Sequence, residues 1–400
     1  MTGVEEIVSG KRVVALVGAG GVGKTTLAAA LALGAARRGQ RALVLTIDPA
    51  RRLADALGTG PLGNEPRPID PTLLAPLGVP PGASLHAMML DRKGTFDALV
   101  NRLAPDAAAR ARIFDNPIYQ HVSDALAGSD EYSAMEKVYE MASREDYDVI
   151  VLDTPPSQHA LDFLEAPERL LGLLEGGVLQ KLVHPALSAG RFGLRIFGRG
   201  SHQVFRVIER ISGLSFREDV SEFLLAFEDM ADCFRARARE VQSLLFGEES
   251  GFVLACGASL ESVSHARAFL ERLDQQGAAV VGLVANRLHR WPGAPPSLPS
   301  SPRERARILA LLATALAEGD ESYPAQPAAE AALRLADGYA ADVTRDAAAT
   351  APLLEEMRNR GAFARCVPEF SGDVHDLESL AQVEQHLFER AQTEATESEA

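Results

Sequence analysis

A glycine-rich run near the N-terminus has the residue types and the spacing needed to hold a phosphate chain. It reads GAGGVGKTT over residues 18–26 and matches the pattern G-x-x-x-x-G-K-[ST]. Glycines let backbone N–H groups close around an anion, the lysine reaches the β- and γ-phosphates, and the threonine hydroxyl can coordinate Mg²⁺. We therefore predict a nucleoside triphosphate site with Lys24 as a catalytic residue and Thr25 as a metal ligand. The residues expected to contact the phosphates are Gly20, Gly21, Val22, Gly23, Lys24, Thr25 and Thr26.

Two aspartates follow apolar segments of the kind that form buried strands. Asp48 comes after ALVLTI, and Asp153 comes after VIVL. Ligands of open α/β sheets bind at the carboxyl ends of the strands, and a buried carboxylate is costly unless something binds it. We predict that Asp153 and Asp48 are Mg²⁺ ligands and that Asp48 also positions the attacking water, as a catalytic residue. The alternative for each is a helix cap or a turn residue.

A third polar residue at a strand end suggests which base is bound. The apolar segment VVGLVA is followed by Asn286, whose carboxamide can pair with an adenine edge through its donor and its acceptor. Guanine-specific proteins are expected to have a lysine after this asparagine and an aspartate two residues beyond that lysine. The residues here are Asn286-Arg287-Leu288-His289, so we expect ATP rather than GTP. Asn286 merely ending a strand in a turn remains the alternative.

The elements that must position these residues follow an α/β pattern. Apolar runs alternate with helical stretches, which predicts a mostly parallel sheet covered by helices on both faces. We expect one domain over residues 10–392, with helical insertions at about 91–145 and 160–248, an irregular loop at 58–82, and a disordered acidic tail at 393–400. The predicted strands are 13–17, 42–47, 84–90, 148–152, 252–256, 279–285 and 363–367.

Composition narrows the class of protein. The chain has 400 residues, 46% of them hydrophobic, and a formal net charge of −15. An acidic surface argues against nucleic acid as a partner, because such binding relies on Lys/Arg patches. The three cysteines are far apart in sequence, so neither a disulfide framework nor a C-x-x-C metal site is expected. The N-terminal residues have no apolar signal core, and we expect a cytoplasmic protein.

These motifs together resemble a known family. The segments GAGGVGKTT, TIDPARRLADALG, MMLDRKGTFDALV, AGSDEYSAMEKVYEM, DTPPSQHALDFLEAPERL and ANR look like those of the ArsA-type anion-transporting ATPases. That family belongs to the dimeric branch of P-loop ATPases with a deviant Walker A motif, which also holds the MinD/ParA positioning ATPases and the tail-anchored-protein targeting ATPase. The similarity covers most of residues 10–290, with a weaker match at 361–390.

The resemblance implies a Mg²⁺-dependent homodimer that binds ATP at its interface and opens and closes with hydrolysis. Asp48 matches the acid of the first switch segment, Asp153 that of the second, and Asn286 the base-contacting asparagine. Pro368 lies where the family has the loop that covers the adenine. A protein cargo or a membrane partner is also implied.

The chain departs from the family at the second residue of the loop. The dimeric branch has a lysine there that acts in the partner's site, whereas this chain has Ala19. We hypothesise that Arg51 or Arg52 replaces it as a catalytic cation, the alternative being two solvated arginines on a helix face. Arsenite transport is not expected, because thiol ligands are lacking. The apolar segment 170–205 could form a client groove or pack within the protein.

Three functions therefore remain open. The favoured one is an ATPase whose hydrolysis switches a homodimer that handles a cargo or a membrane partner. A positioning ATPase of the MinD/ParA kind is the second, although the segment from Asp376 to Gln392 is acidic rather than basic. A small-molecule kinase built on the same phosphate loop is the third.

Overall fold

One mixed sheet organises the part of the chain that the structure, a computed structural model, describes. The described residues are 3–48, 52–104, 106–116, 129–154, 231–291, 293, 295–296, 298–299, 301–319 and 324–389. Within them eight strands lie in the order β3-β4-β2-β5-β1-β6-β7-β8, and all neighbours are parallel except β3 and β4. The strands are β1 Val13–Gly18, β2 Arg41–Thr46, β3 Arg67–Pro68, β4 Ser84–Met89, β5 Val149–Asp153, β6 Ser250–Cys256, β7 Val280–Leu288 and β8 Phe363–Pro368. The predicted α/β class with a mostly parallel sheet is confirmed.

Each of the seven apolar runs forms a strand, and an eighth strand lies in a segment predicted to be a loop. Residues 58–82 hold β3, a short helix and the 3₁₀ turn Ala75–Leu77. β3 is the edge strand of the sheet and pairs antiparallel with β4 through only two residues, one of them Pro68. A two-residue strand has no periodicity to detect, and proline is tolerated at an edge because no ladder hydrogen bond is lost.

Helices cover both faces of this sheet. The described helices are α1 Val4–Gly10, α2 Lys24–Arg37, α3 Arg52–Ala56, α4 Pro71–Leu74, α5 Arg92–Leu103, α6 Ala107–Phe114, α7 Ser129–Ser143, α8 Ala231–Phe246, α9 Leu260–Gln275, α10 Pro302–Gly319, α11 Ala325–Asn359 and α12 Leu377–Phe388. Side chains of β1 alternate between two cores, with Val13 and Ala15 on one face and Val14 and Leu16 on the other. Buried residues of α7, α8, α9 and α11 belong to the first core, and those of α1, α2 and α12 to the second.

The C-terminal helix α12 is fastened to α2, the helix that follows the glycine-rich loop. A Cβ added at Gly34 would lie 2.1 Å from the ring of Phe388, so the two helices approach closely at that glycine. The buried carboxylate of Glu384 accepts hydrogen bonds from Arg37 and Arg38, and the Arg38 guanidinium lies 3.7 Å from the centre of the Phe388 ring. These contacts hold α2 against α12.

The first predicted helical insertion, 91–145, holds helices α5, α6 and α7 where it is described. Of the second, 160–248, the structure describes residues from 231 onward, which form α8. The rest of that insertion, including the candidate groove at 170–205, and the predicted tail at 393–400 lie outside the described residues. None of the helices in the described ranges is long and apolar enough to cross a membrane.

Candidate nucleotide-binding site

The glycine-rich loop joins the end of β1 to the start of α2. α2 begins at Lys24, and Gly23 precedes it as the N-terminal cap with φ of +87°. A side chain is disfavoured in this left-handed conformation, and a Cβ at Gly23 would also lie 2.3 Å from Nδ2 of Asn286. The loop therefore requires glycine here, and the positive end of α2 faces the space above the loop, where an anion binds favourably.

Lys24 is buried within its own loop. Its Nζ donates hydrogen bonds to the carbonyl oxygens of Gly18 and Ala19, both at 3.0 Å. Burial lowers the pKa of Lys24, while the negative charges of Asp153 and Asp48 oppose that shift. The ammonium group is thus held at the loop by neutral carbonyls, which a phosphate oxygen can replace with a charge-assisted bond.

Asp153, at the end of β5, meets two hydroxyl groups from different elements. Its Oδ2 accepts hydrogen bonds from Oγ1 of Thr25 at 2.7 Å and Oγ1 of Thr46 at 2.8 Å. Its Oδ1 is buried and has no hydrogen-bond partner among the described residues. Burial raises the pKa of this carboxyl to about 6. An unbonded buried carboxylate oxygen costs free energy, so the site favours a cation beside it.

The oxygen donors present fit Mg²⁺ better than a softer metal. The Thr25 hydroxyl and the Asp153 carboxylate are hard oxygen ligands, which Mg²⁺ prefers. In the described part of the chain no group of three His, Cys, Asp or Glu residues could hold a metal by itself. Mg²⁺ needs no such cage, because it takes one or two protein ligands and completes its shell with water and substrate phosphates.

Asp48 lies close enough to Lys24 and Asp153 for its charge to affect both. It is half-buried, and its backbone N–H donates to Oγ1 of Thr46 at 3.2 Å. Its charge raises the pKa of both Lys24 and Asp153, so its carboxylate acts on both groups. The structure thus brings the two predicted acids together at the phosphate loop.

Of the two arginines that could replace the missing lysine, the structure describes Arg52. Arg52 is exposed at the start of α3, and its charge lowers the pKa of Lys24. The charge of Arg52 is therefore felt at Lys24 of the phosphate loop. Arg51 lies outside the described residues, with Pro49 and Ala50.

Asn286 contacts the phosphate loop from behind. It is buried, and its Nδ2 donates to the carbonyl oxygen of Val22 at 2.9 Å. At the end of the neighbouring strand Pro368 pairs with Leu288, and the N–H of Glu369 donates to the Leu288 carbonyl at 3.0 Å. Asn286 and Pro368 thus stand at neighbouring strand ends, and their contacts with a base stay predictions.

Three residues of the site are not predicted from the sequence. Thr46 bonds to Asp153, Thr154 donates to the Leu16 carbonyl at 2.6 Å, and Arg287 donates to the Gly21 carbonyl at 3.4 Å. Thr154 directly follows Asp153, and Thr46 lies two residues before Asp48, but neither position indicates the partner of the hydroxyl group. Arg287 directly follows Asn286, and that adjacency was its only signal.

Cys256 contributes no thiolate to this site. Cys256 is buried in β6, as its apolar surroundings in the sequence predict, and burial raises the pKa of its thiol to about 12. Cys233 is exposed on α8, a helix that packs on the sheet through residues of the first core.

Known proteins resemble this chain over the region that holds the site. A model of the protein family described as anion-transporting ATPase matches residues 11–288. The ATPase get3 of Aspergillus terreus is 27% identical over 273 residues, which cover 68% of this chain and 71% of that protein. An uncharacterized protein of Streptomyces coelicolor is 35% identical over 191 residues, 47% of this chain and 44% of its own. A putative arsenical pump-driving ATPase of Halobacterium salinarum is 30% identical over 177 residues, 42% of this chain and 26% of its own.

Proposed function

The chain belongs to the anion-transporting ATPase family and is an ATP hydrolase. We propose that its Mg²⁺-dependent hydrolysis switches a homodimer between two conformations. The switching would serve the handling of a protein cargo or a membrane partner. The observation that supports the metal-dependent part most directly is the buried Oδ1 of Asp153, which has no partner in the described part of the chain.

In this proposal Thr25, Asp153 and Asp48 hold the metal ion. The hydroxyls of Thr25 and Thr46 fix one oxygen of Asp153, and the other oxygen has no hydrogen-bond partner among the described residues. When bound, Mg²⁺ would neutralise charge on the β- and γ-phosphates.

The remaining residues bind and orient the substrate. The N–H groups of the loop and the first turn of α2 contact the phosphates, and Lys24 exchanges its two carbonyl acceptors for phosphate oxygens. Asp48 accepts a hydrogen bond from the attacking water and directs it toward the γ-phosphate. Asn286 and Pro368 contact the adenine.

Arg51 or Arg52 supplies the positive charge that Ala19 cannot. The effect of Arg52 on the pKa of Lys24 supports a position within reach of the phosphates. An arginine so placed stabilises the charge that develops on the transferred phosphoryl group, in its own site or in the partner's.

The dimer is tested by the dependence of turnover on protein concentration. Phosphate release per chain should rise as the protein concentration rises, and Asp48→Asn with ATP should elute from size exclusion at the mass of a dimer. A rate per chain that is independent of concentration, with Asp48→Asn and ATP eluting as a monomer, would contradict the switch. Absence of phosphate release until a small-molecule acceptor is added would instead support a kinase.

A further inference from the structure

Strand β7 carries one residue more than its neighbour β8 where it reaches the phosphate loop. Ala285 pairs with Cys366, and the next pair is Leu288 with Pro368, so three steps along β7 match two along β8. A bulge of this kind breaks the ladder locally and redirects side chains. The residues at the bulge are Asn286 and Arg287.

Arg287 has an unusual backbone conformation at this bulge. Its φ is +57°, in the left-handed region that disfavours any residue with a Cβ. Within the described ranges the only other non-glycine residue with positive φ is Glu145, also at +57°. A backbone outlier that persists beside a binding loop points to a functional constraint.

The two bulge residues hold consecutive carbonyl groups of the phosphate loop. Asn286 donates from Nδ2 to the Val22 carbonyl at 2.9 Å, and the exposed Arg287 donates from Nη1 to the Gly21 carbonyl at 3.4 Å. Both donors therefore reach the loop from the same strand end.

Because peptides are planar, these contacts also fix the direction of the N–H groups of Val22 and Gly23. In a planar trans peptide the C=O and the following N–H point in opposite directions. Holding the Gly21 carbonyl therefore fixes the direction of the Val22 N–H, and holding the Val22 carbonyl fixes that of the Gly23 N–H. A cationic donor on the carbonyl also polarises the peptide and strengthens its N–H as a donor.

We propose that Arg287 is a positioning residue of the phosphate loop, which fixes the Val22 N–H in the orientation that binds the nucleotide's phosphates. The proposal rests on the proposed function, because it requires that the loop binds a nucleotide. Asn286 acts in the same way on the next peptide, and the bulge with its strained backbone is what brings both side chains to the loop.

The substitution Arg287→Gly separates a positioning role from a structural one. Arg287→Gly removes the guanidinium and relieves the positive φ, since glycine adopts that conformation without strain. We expect its Kd for ATP and for ADP, measured by calorimetry with Mg²⁺, to rise about tenfold, or about 1.4 kcal/mol. Its thermal midpoint without nucleotide should equal or exceed that of the wild type. Arg287→Lys keeps a cationic donor and should restore most of the affinity.

Glu145→Gly is the matched control. Glu145 has the same φ as Arg287, and it lies before the start of β5, at the end of the strands opposite the phosphate loop. This variant should bind both nucleotides with the wild-type Kd. The proposal is overturned if Arg287→Gly binds ATP and ADP like the wild type, or if it lowers the thermal midpoint and Arg287→Lys restores nothing. Failure of the wild-type protein itself to bind either nucleotide would overturn the proposed function instead.

Discussion

A hydrogen bond of 2.7 Å joins the hydroxyl of Thr25, in the first turn of α2, to Oδ2 of Asp153, at the end of β5. Thr46 donates to the same oxygen from the end of β2. Three strand and helix ends are thus fixed around one carboxylate, and its other oxygen remains buried and without a partner among the described residues. This arrangement fixes the direction of the Asp153 carboxylate.

The Thr25 hydroxyl is predicted to be a metal ligand. Thr25→Val removes the oxygen with little change in shape, and it should weaken Mg²⁺ binding in the ATP complex by about 10- to 100-fold. Thr25→Ser keeps the hydroxyl and serves as the control. The measurement is the Mg²⁺ concentration that gives half-maximal phosphate release at saturating ATP. Equal values for Thr25→Val and the wild type would remove Thr25 from the metal site.

The buried carboxylate of Asp153 makes stability depend on pH. Its folded pKa is about 6, whereas an unfolded aspartate titrates near about 3.9. The folded state therefore prefers the neutral form, and the stability that this group contributes below about pH 4 is lost as pH rises through about 6.

Asp153→Asn should remove that loss in the nucleotide-free protein. We expect its free energy of unfolding at pH 7.5 to exceed that of the wild type by roughly 2 kcal/mol, and the difference to shrink as the pH falls toward 4.5. Denaturant unfolding in EDTA at both pH values measures this. A difference that does not vary with pH would contradict the assignment.

Two glycines with the same backbone conformation distinguish strain from a clash in the site. Gly23 has φ of +87°, and a Cβ added there would lie 2.3 Å from Asn286, whereas Gly39 has φ of +88° and nothing within 4 Å of an added Cβ. Each alanine substitution costs about 1 kcal/mol of strain. Only Gly23→Ala must also displace Asn286, so it should raise the Kd for ATP at least about tenfold, while Gly39→Ala leaves that Kd unchanged. Equal Kd values for the two variants would show that Asn286 does not shape the loop.

Replacement of the missing lysine by an arginine is tested by single substitutions. If Arg52 acts on the phosphates, Arg52→Ala should slow ATP turnover by about 10³-fold, the low end of what an arginine finger contributes. The same result for Arg51→Ala would assign the role to Arg51. Arg334→Ala, which removes an exposed arginine of α11, is the control. Wild-type turnover in both Arg51→Ala and Arg52→Ala would end the hypothesis.

The sheet and the aspartates at the carboxyl ends of its strands could be predicted, because each strand is an apolar run that can be recognised without knowing its neighbours. An apolar run such as residues 149–152, closed by Asp153, indicates both a buried strand and a polar group at its carboxyl end. The phosphate loop could also be predicted, because it is one contiguous segment and the spacing of its glycines, Lys24 and Thr25 defines the motif. The two-residue strand β3 was too short to leave a pattern.

The contacts across the site could not be predicted because they depend on register between strands. The donation from Arg287 to Gly21 requires the extra residue in β7 opposite β8, and no property of Arg287 alone indicates it. The contact of Asn286 with Val22 likewise requires β7 to end behind the loop. Residues such as Thr46 acquire their role only once β2 and β5 lie side by side.

The most direct test of metal-dependent hydrolysis is phosphate release from ATP by the purified protein, with Mg²⁺ and with excess EDTA. We predict turnover with Mg²⁺ and a loss of at least about 10²-fold when EDTA is added or Asp153 is changed to Asn, because the metal stabilises several kcal/mol of charge. Both proteins should elute identically without nucleotide, which controls for folding. Undiminished release in EDTA, or in Asp153→Asn with Mg²⁺, would contradict the central claim that Asp153 and Thr25 hold the metal used in ATP hydrolysis.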